Sequence, residues 1–168
     1  MEQYSTKDRL FALLIDYLVI CVYLILLFTA FMMIYFIIMD GLPEYSQMEA
    51  QVLSFTTTVL PVTLAFSIME SDPPCGTVGK RIRGIKVTYK KRTFLNSLLR
   101  NTAKFLPWHI GHVGVIAAIY NDYSTGWFML ANAGFALAVV YLLMAVFRKD
   151  HRHIPDMLAG TKVIRKFS

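Results

Sequence analysis

Asp16 is the residue whose type and setting most plainly call for chemistry, a lone charge inside the apolar run Leu10 to Met39. It stands about 9 Å along a helix from Leu10, at a depth where an ionised carboxylate is costly unless paired, hydrated or protonated. Arg9 lies seven positions earlier, on nearly the same helical face but two turns away, too far for direct contact. The partner must come from elsewhere, and Asp156 with the basic residues around it in the C-terminal segment is available. Two readings stay open. Arg9, Asp16 and tail residues form a staple that locks helix ends, or Asp16 exchanges a proton for a cation.

Other candidates are weaker. His109 and His112, spaced i and i+3, share a helical face and could relay protons, but no carboxylate or cysteine lies near them in sequence, so no metal site is expected. His151 and His153 sit among Arg148, Lys149 and Arg152 and read as a solvated basic tail. The run Cys75-Gly76-Thr77-Val78-Gly79-Lys80 resembles a phosphate loop only superficially, since two residues rather than four separate the glycines and Arg81 follows the lysine. No serine–histidine, paired-carboxylate or H-E-x-x-H pattern suggests an enzyme, and no cofactor is implied.

These residues must be positioned by elements that live in lipid. The 168 residues are 56% hydrophobic and 17% charged, against about 45–50% and about 25% in soluble domains, and the length suits one unit. Four spans are expected, at about residues 10–39, 52–69, 103–120 and 127–147. The first lacks a cleavage site and reads as retained. The second carries Pro61 near its middle and hydroxyls at Thr56, Thr57, Thr58, Thr63 and Ser67, which predicts a kinked helix whose hydroxyls satisfy the carbonyl abandoned by the proline. The third contains Lys104, Pro107 and both histidines, and hydropathy alone would reject it. With four spans and both ends inside, all 17 Lys and Arg face the cytosol, while the outer loops hold only Asp40, Glu44, Glu49 and Asp122 among charged residues. The expected fold is an all-α integral membrane protein, a four-helix transmembrane bundle with a cytosolic loop (70–102) and tail (148–168).

Gly84-Ile85-Lys86-Val87-Thr88-Tyr89-Lys90 and Gly160-Thr161-Lys162-Val163-Ile164-Arg165-Lys166 share the pattern Gly-x-Lys-Val-x-x-Lys. Rich in β-branched residues and on one face of the membrane, they predict a short cytosolic β-ribbon tying loop to tail. Thr93 to Thr102 reads as an interfacial helix with Phe94, Leu95, Leu98 and Leu99 toward lipid and Asn96, Arg100 and Asn101 toward water. The basic segments suit anionic lipid head groups. Topology accounts for the positive charge, so no nucleic-acid partner is expected. Cys21 lies in an apolar run and Cys75 among charges, so no structural disulfide is expected.

Three separated motifs, in order, resemble the RDD family, named for one arginine and two aspartates: Arg9-x-x-Ala12-x-x-x-Asp16, Thr77-x-Gly79-Lys80-Arg81-x-x-Gly84-x-Lys86-Val87, and Asp156-Met157-Leu158-Ala159-Gly160-Thr161-x-Val163. One departure is visible: Pro155 precedes Asp156 where the family often has histidine, and His153 stands three places ahead. The resemblance implies a small multi-pass membrane protein, with transport of an unidentified ligand suggested for the family and sodium/proton antiport for some members. The resemblance does not by itself establish transport; the candidate transport site is Asp16 with Arg9 and Asp156, and Thr77, Gly79, Lys80, Gly84, Gly160 and Thr161 are structural motif.

The expectation is therefore a transport-type protein of the cell membrane, exchanging a monovalent cation for a proton at Asp16. Gly111, Gly114 and Gly134 would allow close helix contact in a homo-oligomer. The rival is a non-catalytic adaptor that regulates another membrane protein through its basic loop.

Overall fold

The structure is a computed structural model and describes residues 6–90 and 93–165. Lys91, Arg92 and Lys166, part of the basic segments above, lie outside the described residues. The chain is mostly helical, with three helices long and apolar enough to cross a membrane and one two-stranded sheet.

The first long helix, α1 (Thr6–Met33), runs on through a wider π-turn at Ile34–Ile38. Helix α2 (Gln47–Ser54) starts at a capping box, Ser46 accepting from the Glu49 amide while Glu49 accepts from the Ser46 amide. It continues through a π-turn at Phe55–Val59 into α3 (Leu60–Ser71). Pro61 has no N–H to give the Thr57 carbonyl. The threonines do not rescue that carbonyl: Thr56, Thr57 and Thr58 bond carbonyls one turn earlier, and the Tyr23 hydroxyl of α1 donates to Thr57 O at 2.5 Å. The helix therefore meets its proline with a widened turn and a tyrosine from its neighbour.

Beyond Asp72-Pro73-Pro74 the chain forms α4 (Val78–Ile82) and β1 (Ile85–Tyr89). The expected ribbon is present: β1 pairs antiparallel with β2 (Thr161–Arg165), Val87 opposite Val163 and Lys86 opposite Ile164. Gly84 and Gly160 precede the two strands at φ of +63° and +62°, a left-handed backbone that glycine adopts without strain. Such a ribbon is marginal alone, and here Ile85 and Val163 bury against Ala12 of α1.

The expected interfacial helix and the expected third span are one helix. Helix α5 (Phe94–Tyr120) is continuous, because Thr93 caps it by accepting from the Asn96 amide and nothing stops it before Asn121. Leu95 and Leu99 are exposed as expected, but Arg100 and Asn101, expected toward water, are buried at 1% and 0%. Helix α6 (Thr125–Phe147) returns along α5, and α7 (Ile154–Leu158) leads into β2. A Cβ on Gly114 would come within 2.5 Å of Ala131 N, and one on Gly134 within 2.6 Å of Pro107 O. These two glycines thus serve the close contact of α5 with α6 within the chain, and a Cβ on Gly111 would meet nothing.

Candidate functional site

The motif residues gather at the end of the bundle that carries the ribbon. Asp16 is buried, and its carboxylate accepts from the Thr77 hydroxyl at 2.6 Å and the Gly79 amide at 2.8 Å. The anion held by the glycine-rich turn is thus the chain's own carboxylate, seated on the Thr77 hydroxyl and the Gly79 amide at the start of α4. Contact is close enough that a Cβ on Gly79 would lie 2.0 Å from Ala12 O. The partner expected from the tail is not the one found. Asp156 instead pairs with Arg9 at 2.7 Å and with Arg100, whose Nε and Nη2 donate to Oδ1 at 2.9 and 2.7 Å.

Arg100 also bonds Glu70, which takes Lys80 Nζ at 2.6 Å and Asn101 Nδ2 at 2.9 Å. Lys80 reaches Thr77 Oγ1 as well, at 3.3 Å. One chain of contacts therefore runs from Asp16 through Thr77, Lys80, Glu70 and Arg100 to Asp156 and Arg9, joining α1, α3, α4, α5 and α7. Ions out of water need this density of partners, and removing one leaves a buried charge uncompensated. Tyr89 on β1 donates to Ser97 Oγ at 3.1 Å, and Ser97 donates to Ser67 O at 2.8 Å, which fixes the ribbon to α5 and α3.

His153 is not solvated. It caps α7, its Nδ1 accepting the Asp156 amide while Asp156 accepts the His153 amide. The i, i+3 spacing that departs from the family pattern thus restores a histidine–aspartate contact by another route. Burial pushes the imidazole down to about 3, against the pull of Asp156. A ring nitrogen that accepts a backbone N–H carries no proton, so His153 is neutral at pH 7 and adds no charge to the site. Burial by itself would raise the Asp156 carboxyl, but Arg100 first, then His153, which is protonated in the acid range where Asp156 titrates, and then Arg9 outweigh it and hold Asp156 well below the usual carboxylate range. Thr161 Oγ1 lies 3.3 Å from both Asp156 O and Oδ1.

Glu70, Arg100, Asn101 and Lys104 were not among the site residues expected from sequence. The signal was present: Ser97, Arg100, Asn101 and Lys104 recur at i, i+3, i+4 and i+7, a polar stripe on one face of an otherwise apolar helix. Lys104 alone of these cations has no hydrogen bond or ion pair among the described residues. Its ammonium lies 4.6 Å from the centre of the Phe66 ring and 5.2 Å from that of Phe105. His109 lies against Phe55, and His112 Nδ1 is 3.1 Å from Trp108 O; neither is near the carboxylates' network. Among the described residues no group of three metal-binding side chains is found, and no disulfide joins Cys21 and Cys75.

Beside this network a cavity of about 620 Å³ opens between α1 and the α5–α6 pair. Its walls are mostly apolar, and its polar end is made by Arg9, Asp16, Lys80, Arg100, Lys104 and His153. Asp16 is the sole carboxylate among the described residues lining it.

No curated protein and no solved structure matches the chain. The family model that does match is that of the RDD family, over residues 5–160, which includes Arg9, Asp16, Asp156 and all of the site just described except Thr161. With its apolar helices and this match over most of its length, the chain is a membrane protein that belongs to the RDD family.

Proposed function

We propose that the chain is a transport-type membrane protein that exchanges a monovalent cation for a proton, with Asp16 as the exchanging group. The observation that carries this is the place of Asp16 on the wall of an apolar cavity in which it is the sole carboxylate among the described lining residues. A cation or proton arriving there competes with Thr77 and Gly79 for the carboxylate oxygens, so occupancy would loosen the hold of α1 on α4. That link between the charge state of one residue and the contact of two elements is what an exchanger needs.

Four membrane crossings with both ends at the cytosol complete the proposal. The ribbon supports it: residues just before α5 and just after α6 are tied in one sheet, so if α6 crosses the bilayer, α5 crosses back. The distribution of the 17 Lys and Arg supports the cytosolic assignment of that end. A homo-oligomer would widen the path available to ions.

The adaptor reading draws on a different observation, that both Asp16 oxygens are already engaged in a clamp. Purified protein in liposomes containing a pH dye, challenged with sodium, lithium, potassium or calcium, separates the two. Exchange predicts a cation-dependent pH change that Asp16→Asn abolishes in protein that accumulates normally. No response to any cation, from folded and inserted protein, overturns the exchanger and leaves the adaptor, for which Asp16→Asn lowers abundance without a separable transport defect.

A further inference from the structure

The cavity is larger and more apolar than a cation path requires, and its one loose charge has the wrong sign for a cation. Arg9, Lys80 and Arg100 are spent on Glu70 and Asp156. Lys104 has only the faces of Phe66 and Phe105, is half-buried, and lines the cavity. An ammonium in an apolar wall favours an anion beside it.

The remaining walls say what else that anion carries. Leu13, Tyr17 and Leu24 of α1 face Phe135, Ala138 and Leu142 of α6 across the opening. From Arg9 to Leu24 this wall extends about 22 Å along α1 at 1.5 Å per residue, roughly three quarters of a hydrocarbon core of about 30 Å. Tyr17 and Phe135 are 62% and 71% exposed, so the opening gives onto the surroundings of the helices, which in a bilayer is lipid. A free inorganic anion would use the Lys104 end and leave the apolar length empty. A zwitterionic lipid would bring its own cation to a cluster that is already net positive, Arg9, Lys80, Arg100 and Lys104 against Asp16, Glu70 and Asp156.

We propose that this cleft seats an acidic phospholipid, its phosphate against Lys104 and one acyl chain along the apolar wall between α1 and α6. The seat is independent of exchange at Asp16, and it complements it: a phosphate on Lys104 removes the positive charge that would repel a cation approaching the carboxylate.

Trp108 lines the cavity, and the chain has two tryptophans, so Trp127→Phe leaves one reporter. Full-length protein carrying that change is placed in phosphatidylcholine vesicles containing equal mole fractions of phosphatidylglycerol or phosphatidylcholine brominated on the acyl chain, and Trp108 quenching is followed. The expected result is several-fold stronger quenching by the brominated acidic lipid, lost in Lys104→Gln and kept in Lys104→Arg. Lys104 has no ion pair among the described residues, so its replacement strands none of their carboxylates. Ala138→Phe, which fills the groove without altering charge, should reduce quenching by both lipids. Equal quenching by the two lipids, or an acidic preference that survives Lys104→Gln, overturns the proposal. Loss of the preference on adding millimolar inorganic phosphate at constant ionic strength would also overturn it, assigning the seat to a free anion. Quenching is read whether or not ions move, so failure of the exchanger leaves this result standing.

Discussion

The amide of Gly79 donates to Oδ1 of Asp16 at 2.8 Å across 63 positions of sequence, and no side chain larger than hydrogen fits at position 79 against Ala12 O. The carboxylate and the glycine are therefore one device: the absence of a Cβ lets α4 approach α1, and the approach brings an amide to the buried charge beside the Thr77 hydroxyl.

Gly79→Ala should accordingly behave as an Asp16 variant. The added Cβ meets backbone rather than a flexible side chain, so α4 must move and the Asp16 bonds must lengthen. A cost of about 1–3 kcal/mol from overpacking is expected, with a similar amount for each polar group left unsatisfied. Unfolding in mixed micelles would measure it, and Gly79→Ala added to Asp16→Asn should cost much less than the sum of the two. Additive losses would show that the two residues act separately.

Arg100 holds Glu70 and Asp156 together, and all three side chains are at most 1% exposed. Arg100→Met should destabilise by about 3–5 kcal/mol because two buried carboxylates lose their shared cation. The double change with Glu70→Gln should recover part of that loss, since one of the stranded charges is then removed. Thermal denaturation of the purified single and double variants reads the coupling; no recovery would mean that Lys80 and Asn101 already compensate Glu70.

The pH dependence of stability should carry a histidine step. His153 falls from 6.5 in the unfolded chain to about 3 when folded, so between these values the unfolded chain binds more protons and stability declines as pH is lowered. The contribution is fully present above pH 6.5. Asp156, depressed from 3.8, adds its own loss only below that value. His153→Asn keeps a good helix cap and does not titrate, so it should flatten the decline from pH 6.5 toward 4. A melting-temperature profile unchanged by the substitution would remove His153 from the account.

Tyr23 and Pro61 should be energetically coupled. Tyr23→Phe strands the Thr57 carbonyl and should cost roughly 0.6–1.7 kcal/mol, the range of hydrogen bonds between helices in lipid. In a Pro61→Ala background the alanine N–H can serve that carbonyl, and the cost of Tyr23→Phe should shrink. Equal costs in both backgrounds would show that the hydroxyl has found another partner.

Much of this was legible in the chain. Hydropathy marked three of the helices, the repeated Gly-x-Lys-Val-x-x-Lys marked the ribbon, and three ordered motifs pointed to the family, because each is a local pattern whose physics is set by neighbours in sequence. The partners of the charges were not legible in this way. Asp16 and Asp156 each needed neutralising, and sequence offers several cations and donors for either; which one each meets depends on how α4 and α7 dock against α1 and α5.

Tertiary structure alone decided that Asp16 takes the loop's hydroxyl and amide while Asp156 takes the two arginines, and that Glu70, at the start of an apparent loop, belongs to the buried network. It decided too that two glycines serve the α5–α6 contact within one chain. The reason is common to all of these. A residue's sequence sets the cost of burying it and the kinds of partner that repay the cost, whereas the partner itself is chosen by long-range packing, where residues tens of positions apart compete for the same few donors.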